Sequence, residues 1–132
     1  MATERTSGEE EAIGMAEQFK QLINVRTGAV VAESIDEANG PWKAFKGLML
    51  RKEMPDSYGM VFRPARGIHT HFMRYPIDLV FLDKTDTVVK VRPAMAPWRM
   101  DFTNADAVIE MNAGVAAARD IRPGDKLNFI AP

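Results

Sequence analysis

The side chains with the most chemical capacity fall in two short stretches. One runs from Arg66 to Arg92 and holds both histidines, His69 and His71, with Arg74 and Asp78 after them; the other is Pro97-Trp98-Arg99. Successive strand side chains point to opposite faces, so an H-x-H pair sets two imidazoles on one side. Asp78, Asp101 or Glu110 could complete such a pair with oxygen ligands for a metal. The plainer alternative makes His69 and His71 half-buried strand residues hydrogen-bonded to backbone or carboxylate. The chain has two histidines and no cysteine, which excludes three-histidine and cysteine-ligated sites and any disulfide framework. No metal and no cofactor is therefore expected.

Trp98 and Arg99, with Arg74 and Tyr75, have the makings of a ligand-facing surface. An indole offers a flat apolar face, and guanidinium groups grip carboxylates or phosphates in bidentate fashion. The competing role for Trp98 is to seal one end of the core. Asp78 lies inside the apolar run Ile77 to Leu82. Burial there would tune it upward as an acid, or it pairs with Arg74, Arg51 or backbone donors to lock the bend at Pro76. The pairing is the preferred expectation. No serine elbow and no glycine-rich phosphate loop is present, and nine methionines read first as irregular core filler.

These residues point to a small binding module without enzymatic activity, for a polar or anionic small ligand or a peptide. Arg74, Trp98 and Arg99 would contact the ligand, with His69 and Asp78 shaping the site. The rival expectation is a metal-assisted hydrolase using His69, His71 and an acid. A structural protein-interaction domain is the third.

The elements that must position these groups are mostly strands. Leu22 to Arg26, Thr27-Gly28 and Ala29 to Glu33 form a hairpin pattern, and Gly59 to Phe62 reads as a strand. Ile77 to Leu82 is apolar at both parities, the pattern of a strand covered on both sides. Asp83-Lys84-Thr85-Asp86 has turn chemistry, and Thr87 to Arg92 alternates as the returning strand. Ala107 to Met111 alternates too, with Ile109 and Met111 on one side and Val108 and Glu110 on the other. Lys126 to Ile130 makes a last strand after the turn Arg122-Pro123-Gly124-Asp125.

Asn39-Gly40-Pro41 opens a main helix reaching about Lys52, with Trp42, Phe45, Leu48 and Met49 along one face. Val115 to Asp120 supplies a short second helix. Ala12 to Leu22 has loosely helical spacing. Pro93 to Arg99 is too proline-punctuated for regular structure.

The expected fold is thus β-dominated α+β: a small, barrel-like, mostly antiparallel sheet. A single domain over 21–132 follows an acidic tail over 1–20 expected to be disordered. At 132 residues with a net charge of -1 and scattered basic residues, the chain has no basic field for nucleic acid. No apolar run approaches the ~20 residues of a membrane span. The N-terminus lacks a signal-peptide pattern, which fits the cytosol.

The chain resembles a known bacterial and archaeal family, domain of unknown function 192. The resemblance rests on Gly47 to Arg51, Gly59 to Phe62, His69 to Arg74, Pro76 to Asp83, Pro97-Trp98-Arg99, and Val108 to Met111 with Ala113-Gly114. The blocks stand in the family's order over roughly Val31 to Phe129. His71 replaces an aromatic residue usual there. The resemblance implies a compact β-rich, barrel-like domain with short helices and implies no activity. Many family members carry an export signal, so export is the alternative to a cytoplasmic location.

Overall fold

The structure, a computed structural model, describes residues 16–39, 55–63, 67–69, 75–96 and 100–131. Eleven strands fill most of them: β1 (Ala16–Phe19), β2 (Gln21–Asn24), β3 (Val30–Ala32), β4 (Ser34–Asn39), β5 (Tyr58–Arg63), β6 (Gly67–His69), β7 (Ile77–Leu82), β8 (Val88–Met95), β9 (Met100–Phe102), β10 (Ala107–Asn112) and β11 (Leu127–Ile130). One short helix, α1 (Val115–Ala118), follows β10.

The strands form a six-stranded sheet in the order β1-β4-β5-β10-β7-β8, a three-stranded sheet β11-β2-β3 and a two-stranded ribbon β6-β9. Pairing is antiparallel throughout except between β4 and β5. The β-dominated α+β class is as expected from the sequence. Closure into a barrel is not: among the described residues the large sheet has open ends at β1 and β8. At β8 the ladder stops for a local reason, since Pro93 has no backbone donor and Ala94 adopts a positive φ of 44°.

Both faces of the large sheet are covered, as the apolar run of β7 requires. On the first face Ile35, Val61, Val80, Leu82, Ile109 and Met111 pack against Leu22 and Val31 of the small sheet, Leu127 of β11 and Val115 and Ala116 of α1. On the second face Tyr58, Met60, Phe62, Ile77, Leu79, Phe81, Met95 and Val108 form another cluster. The two parities of β7 divide cleanly between them. Burying side chains of this size contributes about 1.5–3 kcal/mol each, before conformational entropy is set against it.

The turns follow their chemistry. Gly28, at φ 72°, closes the β2–β3 hairpin with its N–H on the Asn24 carbonyl at 2.8 Å. At the β7–β8 turn, Asp83 Oδ1 accepts from the N–H groups of Thr85 and Thr87 and from the Thr85 hydroxyl. Those donors, the hydroxyl foremost, hold its pKa below the usual carboxylate value.

Several expectations are corrected. Over its described part, 16–22, the segment expected to be loosely helical is β1 and the start of β2, with a bend at Lys20 between them. The stretch after Arg92 is not irregular throughout, because β8 continues to Met95 across its bulge. Strands β4 and β9 were not anticipated. The main helix expected over Pro41 to Lys52 lies outside the described residues. Its segment belongs to the connection between β4 and β5, which as parallel neighbours need a crossover.

Gly59 sits mid-strand in β5, opposite Met111. A Cβ there would meet Ile109 Cγ2 at 3.5 Å and the Glu110 carbonyl and Ile35 Cδ1 at 3.6 Å, ordinary contacts. Gly59→Ala should therefore stabilise the fold by about 0.5 kcal/mol by restricting the unfolded chain, seen as a higher denaturation midpoint. A Gly59→Leu chain must push further into Ile109 and Ile35 and should cost about 1–3 kcal/mol.

Candidate functional site

Asp78 is the buried centre of a backbone clamp. Its Oδ1 accepts from the Ala94 N–H at 2.7 Å, and its Oδ2 accepts from the N–H groups of Gly114 at 3.0 Å and Ala116 at 2.9 Å. The β7–β8 register shifts between Ile77 and Leu79, where the bulge at Pro93-Ala94 frees a donor from the ladder. Gly114, in the left-handed conformation at φ 94°, has no side chain to cap α1, and Asp78 supplies that acceptor from another strand. One carboxylate thus joins the central hairpin to α1 and fixes the chain just beyond Arg92. Of the partners considered from sequence, backbone donors are the ones used.

The second face of the large sheet carries a polar row across its apolar cluster. Arg92 of β8, Leu79 of β7, Glu110 of β10, Met60 of β5 and Asp36 of β4 are successive register partners. Strands stand ~4.8 Å apart, so Arg92 and Glu110 are separated by roughly 10 Å along the row. One position along, Lys90 stands opposite Phe81, its Nζ 5.6 Å from the ring centroid. Asp36 accepts the Tyr58 hydroxyl at 2.6 Å.

Lys90 and Arg92 converge on one carboxylate, Asp101 of β9. Lys90 Nζ lies 3.0 Å from Oδ1, and Arg92 Nη1 lies 3.7 Å from Oδ2, an ion-pair distance too long for a hydrogen bond. Oδ2 of Asp101 accepts no hydrogen bond. The contact brings β9 to the β8 edge of the sheet. Lys90 and Arg92 keep 38% and 43% of their side-chain surface exposed, while Asp101 keeps 10%. The result is a cationic rim with unspent donors above an apolar floor.

Glu110 lies deeper on the same face. It is 2% exposed, stands between Leu79 and Met60, and its Oε2 has no hydrogen-bond partner. Burial without compensation pushes its pKa well above the ordinary glutamate value.

Two other charged clusters have structural roles. Arg63 Nη2 lies 2.8 Å from Asp86, with Glu37 and Asp106 at 3.5 and 3.8 Å from its other nitrogens, and its guanidinium stands 5.4 Å from the Phe129 ring centroid. Arg26 and Asn24 bind Asp125, tying the β2–β3 hairpin to the turn before β11.

The residues singled out from sequence divide as follows. Asp78 is buried in its clamp; His69 has a backbone position in β6 opposite Met100, one residue from Asp101. Arg74, Trp98, Arg99 and His71 lie outside the described residues. Among the described residues no group of three or more histidine, cysteine or acidic side chains is placed to hold a metal ion. Lys90 and Arg92 were missed: their shared parity in a strand returning antiparallel to Leu79 and Phe81 is legible, but their convergence on Asp101 of β9 is not. From sequence, Glu110 stands out only as a possible metal ligand.

A family model for DUF192, described as uncharacterized ACR, matches residues 14–129, which takes in β1 to β10, α1 and all but the last residue of β11. The chain belongs to the DUF192 family. Relatives with the UPF0127 designation agree: the protein of Thermococcus sibiricus is 33% identical over 116 residues, covering 82% of this chain and 73% of that protein. The protein of Pyrococcus furiosus is 29% identical over 116 residues, covering 82% of this chain and 97% of its own. A crystal structure of a protein of unknown function from Novosphingobium aromaticivorans is 26% identical, with a TM-score of 0.71 and 86% of each chain covered. This DUF192 chain thus shares its strand framework with a solved protein. No helix among its described residues is long and apolar enough to cross a membrane.

Proposed function

We propose that the protein is a binding module whose ligand, a small molecule or a peptide terminus, presents a carboxylate or comparable anion to the Lys90–Arg92 rim. The observation that carries this reading is the double convergence on Asp101, where two cations from neighbouring same-face positions of an edge strand are only partly used. Arg92 makes no hydrogen bond to Asp101, and a guanidinium has five donors in a fork that matches a carboxylate. An incoming anion takes that fork and completes the coordination that Asp101 leaves open. Asp78 serves the site indirectly, by holding the bulge that follows Arg92.

Trp98 and Arg99 immediately precede the Met100-Asp101 dipeptide in sequence, and His69 is the register partner of Met100. Trp98, Arg99 and His69 belong to the proposal by their place in sequence and register beside Asp101, and Arg74 by its place in sequence beside Tyr75. No observation favours the hydrolase reading.

A thermal-shift screen of carboxylates, phosphorylated sugars, nucleotides and short peptides with free C-termini tests the reading. A ligand at 100 times its Kd stabilises the folded state by about 2.7 kcal/mol, worth several degrees in Tm. The expected hits are anionic, weaken with added salt and disappear in the Lys90→Ala Arg92→Ala double variant. A flat screen, or hits that survive in the double variant, would count against it.

A further inference from the structure

Glu110 is unlike the other carboxylates of the second face. Asp36 has the Tyr58 hydroxyl, and Asp101 has Lys90 and Arg92. Glu110 Oε2 has nothing, and the side chain is enclosed between Leu79 and Met60 on the middle strand of the β5-β10-β7 triplet. An ionised carboxylate in that place would lose most of its hydration with no hydrogen bond to Oε2, and the cation in its row, Arg92, stands two strands away. The apolar enclosure therefore favours the acid form. Its neighbours along β10, Ile109 and Met111, face the opposite cluster, so charge at Glu110 is felt on one face of the sheet only.

We infer that Glu110 is a proton switch for the second face: protonated, it lets the apolar cluster close; ionised, it draws water in and loosens that cluster and the β6–β9 ribbon joined to it. The inference goes beyond the proposed anion rim and stands whether or not that rim binds a ligand. The titratable groups on that face among the described residues are Asp36 of β4, Tyr58 of β5 and Lys90 and Arg92 of β8, with Asp101 of β9 against the last two and Tyr75 packed on the cluster. Lysine, arginine and tyrosine ordinarily change charge only near pH 10 or above. Among these groups a transition below that range belongs to a carboxyl, whereas one from His69 of β6, ordinarily near pH ~6.5, would persist in Glu110→Gln.

The sign follows from linkage. A carboxyl whose folded pKa exceeds its unfolded value keeps its proton in the native state while the unfolded chain has lost it, so the closed form is favoured at low pH. That advantage is complete below the unfolded glutamate value of ~4.3 and is lost as pH rises through the folded value. The pH response is therefore a loss of protection with rising pH, confined to one cluster.

Two measurements on the full chain decide it. Carboxyl carbon chemical shifts of the wild type read the titration of Glu110 directly, and amide hydrogen exchange, corrected for intrinsic rates, reads opening between pH 6 and 9. Glu110 should titrate well above the ordinary range. Exchange in β6 and β9 should quicken about tenfold relative to β2 and β11, and this difference should vanish in Glu110→Gln. Titration in the ordinary glutamate range, equal loosening of both sheets, or a pH response retained in Glu110→Gln would each overturn the inference. Should Glu110→Gln not fold, Glu110→Met takes its place, and the wild-type titration decides by itself.

Discussion

Asp78→Ala should lower stability by about 3–4 kcal/mol, measured as a fall in denaturant midpoint at unchanged m. The change strands three backbone N–H groups that now share one carboxylate, those of Ala94, Gly114 and Ala116. Each unsatisfied buried donor costs about 1–3 kcal/mol, with partial relief where water can enter. The backbone at Ala94, at positive φ, loses the acceptor for its N–H, and the first turn of α1 loses the cap that β7 supplies. Asp78→Asn preserves size but must turn an amide N–H₂ toward the donors, so a loss of about 2 kcal/mol is expected. A cost under about 1 kcal/mol for Asp78→Ala would mean that water replaces the acceptor, and Asp78 would then be better regarded as ligand-facing.

Asp125→Asn should cost about 1–2 kcal/mol at pH 7 and almost nothing near pH 2. Asp125 is nearly fully buried and accepts from Arg26 Nε at 2.6 Å, Asn24 Nδ2 at 2.8 Å and the Arg122 N–H at 2.8 Å. The hydrogen bond from Arg26 is the main cause that lowers its pKa to about 2, against the opposing effect of burial. Because the folded value lies below the unfolded one, the stabilisation is present above the ordinary aspartate range and is lost as pH falls toward 2. Asp120 and Asp83, both lowered by hydrogen bonds, act in the same direction. Thermal unfolding of wild type and Asp125→Asn across pH 2–7 should show the two curves converging at the acid end. Parallel curves would show that proton binding at Asp125 does not limit acid stability. With Glu110 acting in the opposite sense, stability should fall toward both acid and alkaline pH.

What the sequence made legible was local. The β7–β8 hairpin is written in the double-parity run Ile77 to Leu82 and in Asp83, whose own turn donors are within four residues. Gly28 and the alternation around Ile109 were equally readable. Strands β1 and β4 were not, because Ser-Ile-Asp-Glu-Ala-Asn shows a single large apolar residue and owes its extended form to pairing with β5, more than twenty residues away. The site divides along the same line. That Asp78 needs a partner could be argued from its apolar flanks, but the donors come from Gly114 and Ala116, on a helix whose position no local pattern reveals. Lys90 and Arg92 look like ordinary solvent-side charges of a strand until β9 brings Asp101 against them.

The ladder between β2 and β11 pairs Leu22 with Phe129 and Asn24 with Leu127. Synthesis releases β2 about a hundred residues before its mate, so through most of translation Leu22 and Ile23 lack the strand that pairs with them on that side. The hairpin β7–β8 is available as an early nucleus, whereas sealing of the small sheet must wait until Leu127–Ile130 clears the ribosome. A chain truncated before Leu127 should consequently be captured by chaperones far more readily than the released chain of 132 residues.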